Sequence, residues 1–444
     1  MRGEKEKMMK EFDKVIGYTD IKQELEQVAD TLKNRETYAK LGVSAPNGLL
    51  LHGDPGLGKT LMATCLIEAS GLPVFICRKD KPDGDFINAI KETFDTAKES
   101  APAIVFLDDM DKFANEDENH RDAEEYVTVQ SCIDGVKGTG VFVLATANEI
   151  QDLPRSLLRA GRFDRTIEVE APQGTDAEQI IAHYLKGKAV VGDVDPKDIA
   201  AVMSGCSCAE LETVINEAGL YAGFDRSENI TMEHFMKACL RLHYGVTNPV
   251  SAIGKDTGVD IFKSTGQMAK VIYHEAGHAV IAELLMPGTV ALISAHGRYG
   301  RKSGFVSFYN MEEVEHTYWL RSRVIGSLGG MAATEQRFGI ADAGAESDLD
   351  QAFDMVDDMV GNTCVCGFAL HAANRHGDSE ELQAKREQAI AAEVERYYRK
   401  AKEILSLNRE FLDKTAEALA RKSLLTAKDV QRIKAECTIV PVTI

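Results

Sequence analysis

The stretch that most constrains the fold runs from Gly48 to Ser70. Gly48-Leu49-Leu50-Leu51-His52 reads as a buried strand. It opens directly into Gly53-Asp54-Pro55-Gly56-Leu57-Gly58-Lys59-Thr60, and a helical pattern follows from Leu61 to Ser70. This is a complete phosphate-binding loop in the strand-loop-helix setting the motif requires. Its glycines let backbone amides close around phosphates, Lys59 carries charge to the β and γ positions, and the Thr60 hydroxyl can ligate magnesium.

Strand and helix patterns alternate beyond this point. A strand at Leu72 to Cys77, a polar connection at Arg78 to Asp83 and a helix at Asp85 to Ser100 lead to Ala103-Ile104-Val105-Phe106-Leu107-Asp108-Asp109. Apolar residues ending in acids mark a central strand whose C-terminal end meets the nucleotide, with Asp108 placed to hold magnesium through water. Most such ATPases next carry a glutamate that activates the attacking water. Here Asp109 stands in that place, one methylene shorter, so the sequence leaves the strength of hydrolysis open. A further strand, Val141 to Ala145, ends in Thr146-Ala147-Asn148, where a polar side chain can sense the γ-phosphate. Arg159, Arg162 and Arg165 then cluster beside a strand at Thr166 to Val169. Next to an ATPase pattern, Arg162 and Arg165 read as fingers reaching a neighbouring subunit's nucleotide.

A second motif lies far downstream. Tyr273-His274-Glu275-Ala276-Gly277-His278-Ala279 falls in a helical pattern from Gln267 to Met286, stopped by Pro287 and Gly288. His274 and His278 are one turn apart on one face. Two imidazoles at that spacing can chelate one metal ion, while Glu275, rotated by about 100°, can take a proton from a water on that metal. Five-residue matches of this kind also arise by chance, so context has to decide.

Composition bounds the rest. With 444 residues, 44% hydrophobic and 27% charged, the chain can form two or more globular domains. Its 70 acidic against 51 basic residues give a net charge of -19, which disfavours nonspecific nucleic-acid binding. Nine scattered cysteines, without Cys-x-x-Cys spacing, read as reduced thiols in a cytoplasmic protein. No apolar run approaches the ~18 residues of a membrane span, so the chain as given is expected to be soluble.

The segment Phe12 to Gly17, the phosphate loop, the Asp108 and Asn148 segments and Gly161-Arg162-Phe163-Asp164-Arg165 together resemble the AAA+ module of the FtsH-type ATP-dependent zinc metalloproteases. Gly205-Cys206-Ser207-Cys208-Ala209-Glu210-Leu211 is similar to the opening of the family's helical lid. The resemblance covers nearly the whole chain. It implies an α/β P-loop AAA+ module over residues 1–170, a helical lid over 171–243, a linker over 244–266 and a mainly helical zinc metallopeptidase domain over 267–444. It also implies zinc, ATP and magnesium as cofactors, protein substrates and a homo-oligomer, a hexamer in the family. The family's third zinc ligand is an aspartate on a later helix, which points to Asp348 within Ala345-Glu346-Ser347-Asp348. Glu335, on a helix expected at Val324 to Phe338, is the rival by analogy with other zinc peptidases. His296, His316, His371 and His376 lack ligand spacing. Gly304-Phe305-Val306-Ser307-Phe308 is similar to the family strand that would pair with extended substrate.

Two departures bear on function. The family usually carries transmembrane spans ahead of the ATPase; their absence here implies a cytosolic member or a piece of a longer protein. The family also has an aromatic pore loop after the second strand, whereas Arg78-Lys79-Asp80-Lys81-Pro82-Asp83-Gly84 holds no aromatic residue before Phe86. The expectation is an ATP-dependent zinc endopeptidase for unfolded or partly folded proteins. The alternatives are a zinc peptidase whose ATP binding is slow or purely structural, and a chaperone-like remodeller that does not cleave.

Overall fold

Apolar runs along the first half of the chain form a parallel sheet. The computed structural model describes residues 10–42, 45–79, 86–114, 123–192, 194–246, 256–297, 304–309, 317–340, 346–371 and 379–444. The chain divides into two compact units. One comprises Met1–Lys188, Asp195–Ala200 and Gly205–Asn216, and the other Ala189–Val194, Ala201–Ser204 and Glu217–Ile444.

In the first unit, β1 (Gly48–His52), β2 (Val74–Cys77), β3 (Ala103–Leu107), β4 (Val141–Ala147) and β5 (Arg165–Glu168) pair in the order β2-β3-β4-β1-β5, all parallel. The three inner strands are buried along their whole length, which is why they read as unbroken apolar runs. The outer two are partly exposed, and Ile76 on β2 is 61% accessible. Register aligns the strand ends: His52 lies opposite Ala147 and Glu168, and Leu107 opposite Ala145. The segments after β1, β3 and β4 therefore emerge along one edge of the sheet, where open α/β folds bind ligands. Helices α1 (Thr19–Lys33), α2 (Lys59–Ser70), α3 (Phe86–Glu99) and α4 (Glu124–Gly135) accompany this sheet. Helix α2 starts at Lys59, two residues earlier than its apolar pattern indicates, because Gly58 supplies a left-handed cap.

Helices α5 (Cys208–Phe224) and α6 (Met232–Leu242) follow in sequence, and then α7 (Gln267–Leu285), which anchors the core of the second unit. Residues on every side of α7 are buried, from Val271 and Ile272 through Ala279 to Leu285. Around it stand α8 (Thr317–Ser327), α9 (Gly329–Phe338), α10 (Glu346–Gly361), α11 (Glu380–Leu407), α12 (Arg409–Lys422) and α13 (Ala427–Ala435). A small antiparallel sheet, in the order β7 (Phe305–Phe308), β6 (Val290–Ser294), β8 (Leu424–Thr426), completes the unit. No helix among the described residues is long and apolar enough to cross a membrane.

The single helix expected over Val324 to Phe338 is two. The chain breaks at Leu328, and α9 opens on Gly329-Gly330. These glycines lie against α7 so closely that a Cβ on Gly277 would stand 2.3 Å from the Gly329 carbonyl oxygen and 2.6 Å from Ala333 Cβ. A paired glycine is a weak point in a helix interior, and here it begins a new helix at the place of closest approach.

This contact makes a stability prediction of opposite signs. Gly277→Ala would force α7 and α9 apart and is expected to cost about 1–3 kcal/mol. Gly223→Ala, on an α5 position with open space around it, should be neutral or stabilising by about 0.5–1 kcal/mol. Urea unfolding of the metal-free protein measures both. A Gly277→Ala protein as stable as the parent would refute the close packing.

Candidate metal centre and nucleotide site

Helix α7 presents His274 and His278 on one face, and α10 brings a carboxylate to them. Along α10, Asp348 shares a face with Ala352 and Val356, both fully buried, so the helix that packs its apolar stripe inward carries Asp348 inward as well. Its place in the first turn also suits a negative charge. Asp348 Oδ2 lies 3.0 Å from His274 Nε2 and 3.3 Å from His278 Nε2, and the two Nε2 atoms are 3.0 Å apart. A tetrahedral zinc with bonds of about 2.0–2.1 Å sets its ligand atoms about 3.3 Å apart. The three donors thus already fit such an ion, and among the described residues they are the group of acids, histidines and cysteines that converges in this way.

Neighbouring groups hold this geometry. The His278 Nδ1 lies 2.8 Å from the Gly326 carbonyl oxygen, which fixes Nδ1 as the donor and leaves Nε2 to act as a ligand. Gly330 forms a bare floor beneath the rings. A Cβ there would stand 2.4 Å from His278 Nε2 and 2.6 Å from His274 Nε2, inside the space between the donors. Burial pushes the Asp348 carboxyl up, but the adjoining His274 and His278 rings outweigh it and hold the carboxyl well below its usual range. Burial likewise pushes His278 down, while Asp348 and then Glu275 raise it above its ordinary value.

Glu275 is buried, at 6% exposure. Its stem is met by Gly304, where a Cβ would fall 2.5 Å from Glu275 Cγ and 2.9 Å from Oε1. Gly304 leads into β7, which is bonded on one side to β6 and forms an edge of its sheet among the described residues. Glu335, the rival ligand, is engaged elsewhere: it accepts from the Tyr398 hydroxyl and lies 3.4 Å from Lys402 Nζ. His296 and His371 stand outside the cluster. His316 and His376 lie outside the described residues.

At the sheet edge, Gly53, Gly56 and Gly58 take positive φ around the phosphate loop, between Asp54, Pro55 and Leu57. Lys59 is buried, with its ammonium 2.6 Å from the Gly53 carbonyl, 2.7 Å from that of Asp54 and 2.9 Å from Asn148 Oδ1. The Thr60 hydroxyl donates to Asp108 Oδ1 at 3.1 Å, which brings these two oxygen-bearing groups together. Thr146, given no role by the sequence reading, also donates to Asp108 Oδ1, at 2.8 Å, and accepts from the Asp109 amide at 2.9 Å. Asp109 takes a left-handed backbone, φ 53°, and its carboxylate pairs with Lys112 at 2.7 Å.

The arginines do not join this network in the chain by itself. Arg162 is held by Asp134, Gln130 and the Ser156 carbonyl, and Arg165 donates to Gln27. Phe86, the first aromatic after β2, packs edge-on against Phe113 at 4.9 Å between ring centres, so it faces the core. Residues 80–84 of the pore connection lie outside the described residues.

Three family profiles match consecutive parts of the chain. The ATPase family associated with various cellular activities (AAA) matches residues 49–171, the AAA+ lid domain 193–237 and peptidase family M41 262–433. Among curated proteins, the chain is 32% identical over 433 residues to the ATP-dependent zinc metalloprotease FtsH of Ureaplasma parvum, covering 92% of this chain and 58% of that protein. It is 31% identical over 461 residues to the FtsH of Pelobacter propionicus, covering 96% of this chain and 71% of that protein. The FtsH of Thermobaculum terrenum is 30% identical over 460 residues, with 95% and 68% covered. The chain thus spans between about half and about three quarters of the length of these relatives.

The donor geometry predicts metal content directly. His278→Ala and Gly330→Ala, one removing a donor and the other filling the floor between two, should each lose zinc from purified protein, with affinity falling at least 10-fold. Glu335→Gln should retain about one zinc per chain. Elemental analysis of the three variants decides the matter, and a zinc-free Glu335→Gln beside a fully loaded Gly330→Ala would reverse the assignment.

Proposed function

The chain belongs to the FtsH family of ATP-dependent zinc metalloproteases, and from that premise we propose that it is an ATP-dependent zinc endopeptidase acting on unfolded or partly folded polypeptides. The observation that carries the reading is the convergence of His274, His278 and Asp348 over a bare Gly330, with Glu275 beside them. His274, His278 and Asp348 would hold the zinc, which would supply a Lewis acid for the scissile carbonyl and make a water at the site more acidic. Glu275 accepts that water's proton and returns it to the departing amine. Extended substrate pairs with the outer side of β7, an edge of its sheet among the described residues, whose backbone groups bind without regard to sequence, and Gly304 lets that edge approach Glu275.

ATP occupies the other site in this reading. Residues 53–58 and Lys59 would cradle the phosphates, Thr60 and Asp108 would hold magnesium, and Asn148 would meet the γ-phosphate. Arg162 and Arg165 serve a neighbouring subunit of a homo-oligomer, with Arg162 leaving Asp134 on assembly, so sedimentation with ATP should find a hexamer and not a monomer. A non-cleaving remodeller is disfavoured because the metal donors and the base are all present.

Purified protein should degrade an unfolded substrate with ATP and lose that activity on zinc chelation. Glu275→Gln should retain zinc yet lose cleavage by about 10²-fold or more. Cleavage that survives chelation or the loss of Glu275 would refute the reading.

The rate of the nucleotide step is separately testable. General-base contributions of about 10²–10⁴-fold depend on close contact with the attacking water, and Asp109 has a shorter stem than glutamate and is drawn to Lys112. Asp109→Glu is therefore expected to raise ATP turnover while leaving the cleavage of short unstructured peptides unchanged. Steady-state ATPase and peptide assays check this, and an unaltered or reduced turnover would contradict it.

A further inference from the structure

Beside Asp108 and Asp109 lies a third acid, Asp111, whose place follows from local structure. The left-handed Asp109 starts a short 3-10 turn over Met110–Lys112. The fully buried Tyr126 then ties that turn down, its hydroxyl donating to the carbonyls of Met110 at 3.2 Å and Asp111 at 3.0 Å. With the backbone so anchored, Asp111 is aimed at the end of β4. Its Oδ2 accepts from Asn148 Nδ2 at 3.2 Å. Its Oδ1 is buried and has no hydrogen-bond partner among the described residues.

A buried carboxylate oxygen without a protein donor is costly, and its place in a fold calls for an explanation. The contacts of Asn148 indicate one. Its Oδ1 faces Lys59 Nζ at 2.9 Å and its Nδ2 faces Asp111, so Lys59 and Asp111 grip opposite ends of one amide and determine its orientation. Asp109, by contrast, is occupied by the half-exposed Lys112.

We propose that Asp111 is a positioning residue for ATP hydrolysis, holding the Asn148 amide in the orientation that the hydrolytic step requires. Turnover then depends on Asp111 as well as on the short Asp109. This rests on the reading of the sheet edge as a site of ATP hydrolysis and is independent of the zinc centre.

The test is a double-mutant cycle on the full chain, reading ATP turnover and, separately, affinity for a fluorescent ATP analogue. Asp111→Ala should lower kcat about 10-fold or more while nucleotide affinity stays within about threefold. Asn148→Ala should do the same, and the double variant should be no slower than Asn148→Ala, because each substitution breaks the same arrangement. Asp111→Asn, which keeps an acceptor for Asn148 Nδ2, should recover most of the lost turnover. Losses that multiply in the double variant, an Asp111→Ala protein with parental turnover or with no nucleotide binding, or an Asp111→Asn protein as slow as the alanine variant would each overturn the proposal. A parent protein that binds the analogue without hydrolysing ATP would overturn the hydrolytic reading itself and this inference with it.

Discussion

The metal centre depends on a contact made without side chains. Gly277 of α7 meets Gly329 of α9 at a separation that leaves no room for a Cβ on either helix. Helices normally pack 8–10 Å apart because side chains intervene; removing them brings α9 inward until Gly330 lies beneath both imidazoles. That approach shapes the floor of the donor cluster. The preceding helix, ended at Leu328 by the same glycines, offers the Gly326 carbonyl to His278 Nδ1. A single short contact thus shapes the site and helps fix which ring nitrogen faces it.

Asp348 completes the arrangement from outside that pair. Burial alone would weaken the acidity of this carboxylate, but the two adjoining imidazoles more than offset it, so its acidity rises despite burial. The packing of Ala352 and Val356 carries Asp348 to the histidines, so the apolar stripe of α10 and its ligand position are one feature. On the far side, β7 reaches Glu275 through another glycine, Gly304. Close backbone approach thus sets the floor beneath the histidines and the sheet edge beside Glu275, while side-chain packing places Asp348.

At the nucleotide site the organising constraint is strand register. Parallel pairing ends β1, β3 and β4 together, and this lets Lys59, Asp108, Thr146 and Asn148 meet although up to 89 positions separate them in sequence. Thr146 is the hinge of that network, since its hydroxyl serves both Asp108 and the Asp109 amide. Asp108 and Asp109 are adjacent in sequence yet differ in surroundings: Asp108 is buried and takes hydrogen bonds from two hydroxyls, with Arg78 3.4 Å away, whereas Asp109 is less buried and pairs with the surface Lys112 at 2.7 Å.

The sequence by itself determined the elements whose signals are local. The inner strands were legible as unbroken apolar runs, the phosphate loop from its glycines between strand and helix, and the paired histidines from one-turn spacing. Tertiary structure alone decided which acid joined the histidines, because Asp348 and Glu335 lie on different helices and only packing turns one toward the cluster and the other toward Tyr398 and Lys402. It alone revealed the break at Leu328, the strand at Leu424–Thr426 and the roles of Gly304 and Gly330. A glycine or a three-residue strand carries no periodic pattern of its own, and what it does depends on a neighbour that is distant in the chain and brought close only by the folded core.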